Sequence, residues 1–520
     1  MEAFEGLRIG LGQVLDPSNF FFMTVGVMLG LIVGVLPGLG GTAGVALLLP
    51  VTVFMAPSAA ILMLAGIYWG SIFGGAITSI LFGVAGEPWS VATMFDGRPL
   101  AKQGKAGLAL MAAFTASFTS AILGALLFTF LATPFAGLAL RFGPPELFAV
   151  LLLTFSTFVG FGGAPPFKTI AMIAAGLLLT TVGLDVVSGT PRLTFGTVTL
   201  LQGFDFIPVT IGLFGIAEIL YGATERVRGV IAVTQMKPRF ADFLLAIKTQ
   251  LQRWWIALTN FLLGFVVGML PGLGATPASF MAWGVTRRTS KHPERFGKGA
   301  IEGVMAPETA NNAAGTAAIL PMLTLGIPGS PTAAVIMAGL FIWGMIPGPT
   351  LFEDHPDVVW GFITGLYFSN TLAFLMCLFA TPLLAMVLRV PYAILTPIIV
   401  VFCIAGAYSV NNSMFDVWLV LIFGVIGVVL RVLQYPVAPF IVALVLGFPT
   451  EAALRRTMIL GDGSLGILFG RPIAAVLTVV ALLLFMQPLL SSVIRRVRAA
   501  RRGGKEEEEE EEEEEQVAVK

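Results

Sequence analysis

The sequence predicts an all-α polytopic membrane protein. It is built from two inverted-topology repeats with Gly/Pro-broken or re-entrant helices, plus an extra C-terminal helix. Three observations predict this. The 520-residue chain is 57% hydrophobic and 12% charged, with mean hydropathy +0.91, whereas a soluble domain carries about a quarter charged residues. A Gly/Pro motif inside apolar sequence occurs twice: G-V-L-P-G-L-G-G-T-A-G from Gly34 to Gly44, and G-M-L-P-G-L-G-A-T-P-A-S from Gly268 to Ser279, 234 positions later. Equivalent loops of the two halves carry opposite charge character.

The motif is costly in a bilayer. Proline removes a donor and clashes with the preceding turn, and glycine loosens the helix. Backbone groups freed in hydrocarbon cost several kcal/mol each unless something meets them. Such a break is tolerated where it is buried in protein or lines a wet cavity. Two breaks at matching positions of two halves point to a transporter's binding site. The alternative is a pair of packing kinks, since Gly and Pro are common in membrane helices. The shared core G-x-L-P-G-L-G, with a Thr two residues beyond it, favours a functional break.

At about 20 residues per span, roughly ten to twelve crossings fit. The first repeat occupies residues 1–222 and a basic linker 223–253. The second repeat covers 254–447, a loop and unpaired helix 448–494, and a charged tail 495–520. Apolar segments 20–36 and 43–56 flank the first break, and 254–270 and 276–286 flank the second. Several are too short to cross alone, which suits either re-entrant hairpins or discontinuous helices. The start is acidic, with no basic region or cleavage site ahead of the first apolar run, so no cleaved signal peptide is expected. Cys377 and Cys403 lie in apolar segments and read as small core residues.

The duplication continues. G-V-A-G-E-P-W-S-V-A from Gly83 aligns with G-I-P-G-S-P-T-A-A from Gly326 at an offset of 243. The growth in offset matches the polar loop 287–298, which the first half lacks. Its basic residues (Arg287, Arg288, Lys291, Arg295, Lys298) have an uncharged counterpart at 50–58. The next loop reverses this, with Arg98, Lys102 and Lys105 in the first half and Glu353, Asp354 and Asp357 in the second. By the positive-inside rule the repeats are inverted. Loops 96–105, 223–253 and 287–298 and the C-terminal tail are then cytoplasmic, and the N-terminus and loop 449–471 are periplasmic. Ten of the thirty acidic residues form one run, Glu506–Glu515. This low-complexity tail reads as solvated, next to an arginine cluster able to attract anionic lipid.

Candidate site residues gather at the breaks. Pro37, Gly38, Gly40, Gly41 and Thr42 form the first tip, and Gly272, Gly274 and Thr276 the second. Ser79, Glu87 and Ser90 occupy the next broken region of the first half. In the second half P-E-T-A-N-N-A-A-G-T, from Pro307, supplies Glu308, Asn311, Asn312 and Thr316. T-L-G-I-P-G-S-P-T, from Thr324, supplies Ser330 and Thr332. Carboxamides, hydroxyls and freed carbonyls ligate a small hard cation, and opened helix N-termini favour an anionic substrate. A single Ser or Thr is ordinarily bonded to its own helix; the clustering carries the reading. Intramembrane carboxylates usually face a polar cavity, so Glu87 and Glu308 are expected to border the site. Glu302 is expected at the membrane edge, paired with Lys298. Asp185 and Glu218 lie near span ends. His292 and His355 lie in loops away from the breaks, and no catalytic or metal constellation is apparent. An intramembrane enzyme is thus poorly supported, and a passive channel is the alternative to a carrier.

These residues resemble a known family, the large membrane subunit of tripartite tricarboxylate transporters (TctA type). The resemblance rests on G-V-L-P-G-L-G-G, on G-E-P-W-S-V-A-T-M-F-D-G-R-P-L-A-K-Q-G-K-A-G (Gly86–Gly107) and on P-E-T-A-N-N-A-A-G. It continues in L-T-L-G-I-P-G-S-P-T and in G-A-Y-S-V-N-N-S-M-F-D-V-W (Gly406–Trp418), and so spans most of the chain. It implies a secondary-active uptake system of bacterial inner membranes. A periplasmic substrate-binding protein would deliver a di-, tri- or aromatic carboxylate to this subunit and a small four-helix membrane subunit. A sodium or proton gradient would drive it, with no other cofactor and no nucleic acid. The breaks, lacking an Asp–His relay, favour sodium. Two features depart from the family pattern: the acidic tail, and Trp89 in G-E-P-x-S.

Overall fold

A computed structural model of the protein describes residues 3–36, 40–161, 164–185, 188–224, 240–387 and 392–488. The fold is all-α and that of a polytopic membrane protein. Among the described residues, strand is confined to the antiparallel pair Gly183–Leu184 and Pro191–Arg192. Among the described residues six helical runs are long and apolar enough to cross a bilayer: Pro17–Val35, Pro57–Phe82, Pro88–Ala139, Pro356–Leu384, Met414–Val432 and Val437–Leu460. Shorter apolar helices adjoin the breaks, among them Gly40–Thr52, Trp254–Met269 and Pro331–Ile342.

The Pro57–Phe82 helix sits at the centre, with Trp69 and Phe73 fully buried. Its contact with Pro17–Val35 is made by glycine on both sides. A Cβ built on Gly26, Gly30 or Gly34 would lie 2.2–2.3 Å from the carbonyl oxygen of Met63, Ile67 or Ser71. In return, Gly70 and Gly74 meet the carbonyls of Val27 and Leu31 at 2.3 and 2.5 Å. Lipid supplies no hydrophobic drive between helices, so close approach at small residues provides the packing energy. The contact recurs in the second half. A Cβ built on Gly264 would lie 2.3 Å from Ala310 O, and one on Gly268 2.4 Å from Ala314 O. The glycines are shifted by 234 and their partners by 243.

Backbone states recur at the same offsets. Leu36 (φ −76°, ψ 116°) and Leu270 (φ −75°, ψ 121°) end the helices entering the two breaks. Gly83 (φ 70°, ψ 29°) and Gly326 (φ 70°, ψ 24°) are left-handed caps of the helices before the next broken regions. Extended residues, Glu87 and Ser330, come immediately before Pro88 and Pro331, the first residues of the next helices.

Several expectations need correction. Residues 307–316 are not a break: Pro307 lies inside the helix Glu302–Ala317. Glu302 pairs with Arg253, not Lys298, because its helix starts where the Trp254–Met269 helix begins. The segment read as loop from 449 is helical to Leu460, and residues 96–105 are helical with a bend at Gly104 (φ 77°). An unanticipated helix, Ala3–Val14, seats Gly6 against Trp360. Part of the linker forms the helix Phe240–Gln252; its residues 225–239, like the arginine cluster and acidic tail, lie outside the described residues.

Arg455 makes two bonds to Asp185 (2.7 and 3.1 Å), and Arg192 makes two to Glu451 (2.7 and 3.1 Å). The Glu451 hydrogen bond raises Arg192 above its ordinary value. Arg471 pairs with Glu146 at 2.8 Å. Arg455, near the end of the Val437–Leu460 helix, and Arg471 beyond it are therefore paired with acids from the first half.

The glycine contact predicts a steep asymmetry. Gly30→Val should lower stability by about 2–3 kcal/mol or more, since the added carbons meet backbone. Gly284→Ala, with nothing within 4 Å of its Cβ, should leave folded yield unchanged. Thermal unfolding in detergent checks both; equal effects would remove the glycine contact as the organising one.

Candidate functional site

A cleft of about 790 Å³ is lined by both tips. Gly40 and Thr42 come from the first break, Gly272, Gly274 and Thr276 from the second. The following broken regions add Gly86, Glu87 and Trp89 from one half, Ser330 and Thr332 from the other. Thr42 and Thr332, 290 positions apart, share a hydroxyl hydrogen bond of 2.7 Å.

Each break meets its freed backbone groups from another element. The Val35 carbonyl, at the end of its helix, accepts from Thr78 Oγ1 at 2.6 Å. The Pro271 carbonyl accepts from Thr157 Oγ1. Gly272 N donates to Gly329 O (3.1 Å), and Gly329 N donates to Ala318 O (3.0 Å). Gly272 has φ +83°, and Phe158 lies 2.6 Å from its would-be Cβ. Conformation and space both require glycine there.

The two halves differ in charge at corresponding positions. In the first, the Glu87 carboxylate accepts from the Gly41 backbone N–H, at the start of the Gly40–Thr52 helix. In the second, Ser330 stands at the matching place and accepts from Ala333 N at 3.1 Å. The Ala275–Thr289 helix begins at Gly274 with no side-chain cap.

The remaining expected residues sit elsewhere. Ser79 and Ser90 lie behind the cavity wall, joined by a 2.8 Å hydrogen bond, and Ser90 Oγ donates to Glu87 O at 2.8 Å. Gly41 reaches the site only through its N–H. Pro37 and Gly38 lie outside the described residues. Glu308, Asn311, Asn312 and Thr316 are fully buried but do not line the cavity. They form a second polar cluster. Glu308 accepts from Thr93 Oγ1 (2.6 Å), Ser117 Oγ (2.9 Å) and Asn311 Nδ2 (3.3 Å). Asn312 Nδ2 donates to Asn311 Oδ1 at 2.7 Å, while the Asn312 Oδ1 has no hydrogen-bond partner among the described residues.

Sequence reasoning missed three groups. Tyr68, Phe158 and Phe214 line the cavity from helix interiors, where an aromatic in an apolar run gives no signal. Arg431 also lines it, from the last turn of the Met414–Val432 helix, where an arginine reads as an interfacial anchor. Asp96 accepts from Trp283 Nε1 (2.8 Å) and from the N–H groups of Gly297 (2.8 Å), Gly299 (3.0 Å) and Ala300 (2.8 Å). It ties the basic loop of the second half to the first.

A multi-pass bundle whose helices break around one central cavity is the architecture of a membrane transport protein. The chain belongs to the tripartite tricarboxylate transporter TctA family, whose model matches residues 20–442. It is 39% identical over 485 residues to an uncharacterized 52.8 kDa protein of the TAR-I ttuC' 3' region of Agrobacterium vitis, covering 93% of this chain and 95% of that one. It is 40% identical over 219 residues to an uncharacterized protein of the TAR-II ttuC' 3' region of the same organism, covering 42% of this chain and 90% of that one. No solved structure gives a significant match. The family makes this a subunit of a tricarboxylate transporter, one component of a tripartite system.

Gly272→Ala tests the tip geometry. Left-handed backbone costs an L-residue about 1–2 kcal/mol, and the contact with Phe158 adds to it. Substrate uptake per inserted protein should fall at least about tenfold. Gly272→Ala/Phe158→Ala should recover part of the loss by removing the contact alone. Loss of insertion in step with loss of uptake would make the tip a packing device.

Proposed function

We propose that the chain is the large permease subunit of a binding-protein-dependent secondary active transporter. It imports a carboxylate (tricarboxylate, dicarboxylate or aromatic acid) across the bacterial inner membrane by alternating access between two inverted repeats. The observation that carries this is the single cavity lined by both tips. Repeat-related breaks around one site suit a carrier whose halves rock about it, whereas a channel needs a continuous lined path. The recurrence of contacts and backbone states at offsets 234 and 243 supports the duplication. A small four-helix membrane subunit and a periplasmic substrate-binding protein complete the system, and lipid covers the exposed apolar faces.

The difference between the tips supports distinct roles for them. Glu87 at the first tip suits the coupling cation. The second tip, with an uncapped helix start, Thr276, Ser330 and Thr332, suits a carboxylate. Glu308, Asn311, Asn312 and Thr316 provide a second oxygen-rich set for the same ion. Oxygen ligands without a histidine relay favour sodium over the proton.

The complete complex in proteoliposomes, with its binding protein loaded, should accumulate citrate or another carboxylate only under an imposed sodium gradient. Glu87→Gln, which keeps a hydrogen-bond acceptor and loses the charge, should abolish accumulation and the sodium dependence while leaving assembly intact. Downhill flux that ignores the gradient would favour a channel. Uptake that persists without sodium and collapses with a protonophore would make the proton the coupling ion.

A further inference from the structure

The helix Val91–Leu100 follows directly on the turn Pro88–Ser90, and so on the Glu87 break. The first half holds it at both ends. Ser79 Oγ donates to Ser90 Oγ at 2.8 Å just before its start, and Arg98 Nη1, in its last turn, donates to the carbonyl of Leu81. Its middle is bonded to the second half. Thr93 Oγ1 donates to Glu308 at 2.6 Å. Asp96, one turn on and wholly buried, accepts from Trp283 Nε1 and from the N–H groups of Gly297, Gly299 and Ala300. Gly303 leaves room for it, since a Cβ there would run into Asp96 Oδ2.

The three backbone bonds go to Asp96 Oδ1 and hold the loop ahead of the Glu302–Ala317 helix. The bond from Trp283 goes to Oδ2 and holds the Ala275–Thr289 helix, which starts at the second tip. Thr276, Phe280 and Trp283 stand at i, i+4 and i+7, on one face of that helix. The first two line the cavity, and the third takes the bond. Phe95 packs edge-on against both aromatics, its centroid 5.9 Å from Phe280 and 5.2 Å from Trp283. A buried oxygen that loses its donor costs the full desolvation of that group, so the bond holds Trp283 to Asp96 beyond what packing does. The Glu87 break and the second tip are thus joined through one short helix, one hydrogen bond and one ring contact.

We propose that Asp96 and Trp283 are positioning residues of the transport site, joined so that an ion held at the Glu87 break sets the place of the second tip and with it the affinity for the substrate carboxylate. This rests on the sodium-coupled carboxylate reading above, and it names the contact through which one site acts on the other. Coupling of two sites needs an element that both of them bias, and the Val91–Leu100 helix touches both.

KM for citrate, succinate and benzoate is measured at low and at saturating sodium, in proteoliposomes holding the complete complex and its loaded binding protein. Rates are normalised to folded, inserted protein. In the wild type, sodium should lower KM. Trp283→Phe keeps a ring beside Phe95 and removes the N–H. It should raise KM about tenfold at saturating sodium and flatten its sodium dependence, with maximal rate unchanged. Asp96→Asn should do the same, since its oxygen can keep the three backbone bonds while its NH2 faces the indole N–H. The double variant Asp96→Asn/Trp283→Phe removes that conflict and should lose no more than either single one. Thr286→Val is the control: it cuts the 2.9 Å bond from Asn260 Nδ2 to the same helix and should leave the sodium dependence of KM as in wild type. Wild-type sodium dependence in the folded Asp96 and Trp283 variants overturns the proposal. So does equal flattening in Thr286→Val, because any loosening of the helix would then suffice. Should Asp96→Asn fail to insert, Trp283→Phe decides; failure of both to insert makes the pair structural and overturns the proposal as well. A wild-type complex that transports with a KM indifferent to sodium overturns the coupling and leaves carboxylate transport standing. One that moves none of the three probes counts against carboxylate transport itself, and the assignment of Asp96 and Trp283 falls with it.

Discussion

Backbone polarity in an apolar medium is the constraint on which this structure depends. A helix that stops within hydrocarbon leaves carbonyls and N–H groups without partners, at several kcal/mol each. Here the partners come from other elements. Thr78 serves Val35, Thr157 serves Pro271, Gly329 serves Gly272, and the Glu87 carboxylate serves Gly41. Each of these groups has a position that follows from the break it satisfies. The cavity is what remains between the two sets of satisfied ends, and this is why the polar groups at the breaks reach it from four separate stretches of chain.

Such ends can be brought together only if the helices carrying them approach closely. The glycine rows of Pro17–Val35 and Pro57–Phe82 allow backbone-to-backbone contact, and the smaller set at Gly264 and Gly268 does the same in the second half. The row continues into the break itself. Gly34 meets Ser71, and Gly86 rests on Gly34 O at 2.1 Å from its would-be Cβ. One composition therefore does two jobs. Glycine brings the helices close, and the same glycines free the backbone at the tip.

Much of this was legible in the sequence, and the part that was not has a physical reason. Breaks announce themselves, because Pro and Gly at matched positions violate helix chemistry whatever surrounds them. The tips, Glu87, Ser330 and Thr332 were found that way. The P-E-T-A-N-N segment misled because Pro307 sits in the second turn of its helix, where few backbone bonds are lost. Its polar residues turned inward to bond one another. Partners of charges were illegible, since pairing depends on distant chain. Glu302 found Arg253, and Arg455 found Asp185 across 270 positions. The positive-inside count treats each arginine as free. Asp96 and Arg431 were missed for the related reason that one charge near a span end has an ordinary interfacial reading.

Under the proposed carrier function, the difference between the two tips is what would let matched breaks handle unlike ligands. Were both breaks identical, the cavity would present two equal helix starts and two equal caps, and no site in it would prefer a cation to an anion. Glu87 against Ser330 removes that equality with one substitution in an otherwise matched backbone. The Glu87 side chain satisfies the helix start at Gly41 and puts an acid on one wall, while the hydroxyl leaves the opposite helix start at Gly274 uncapped. Arg431, from outside both broken regions, deepens the contrast by placing positive charge on the cavity wall. Glu87, Ser330 and Arg431 thus set unlike chemistry on a cavity whose two breaks have matching backbone states.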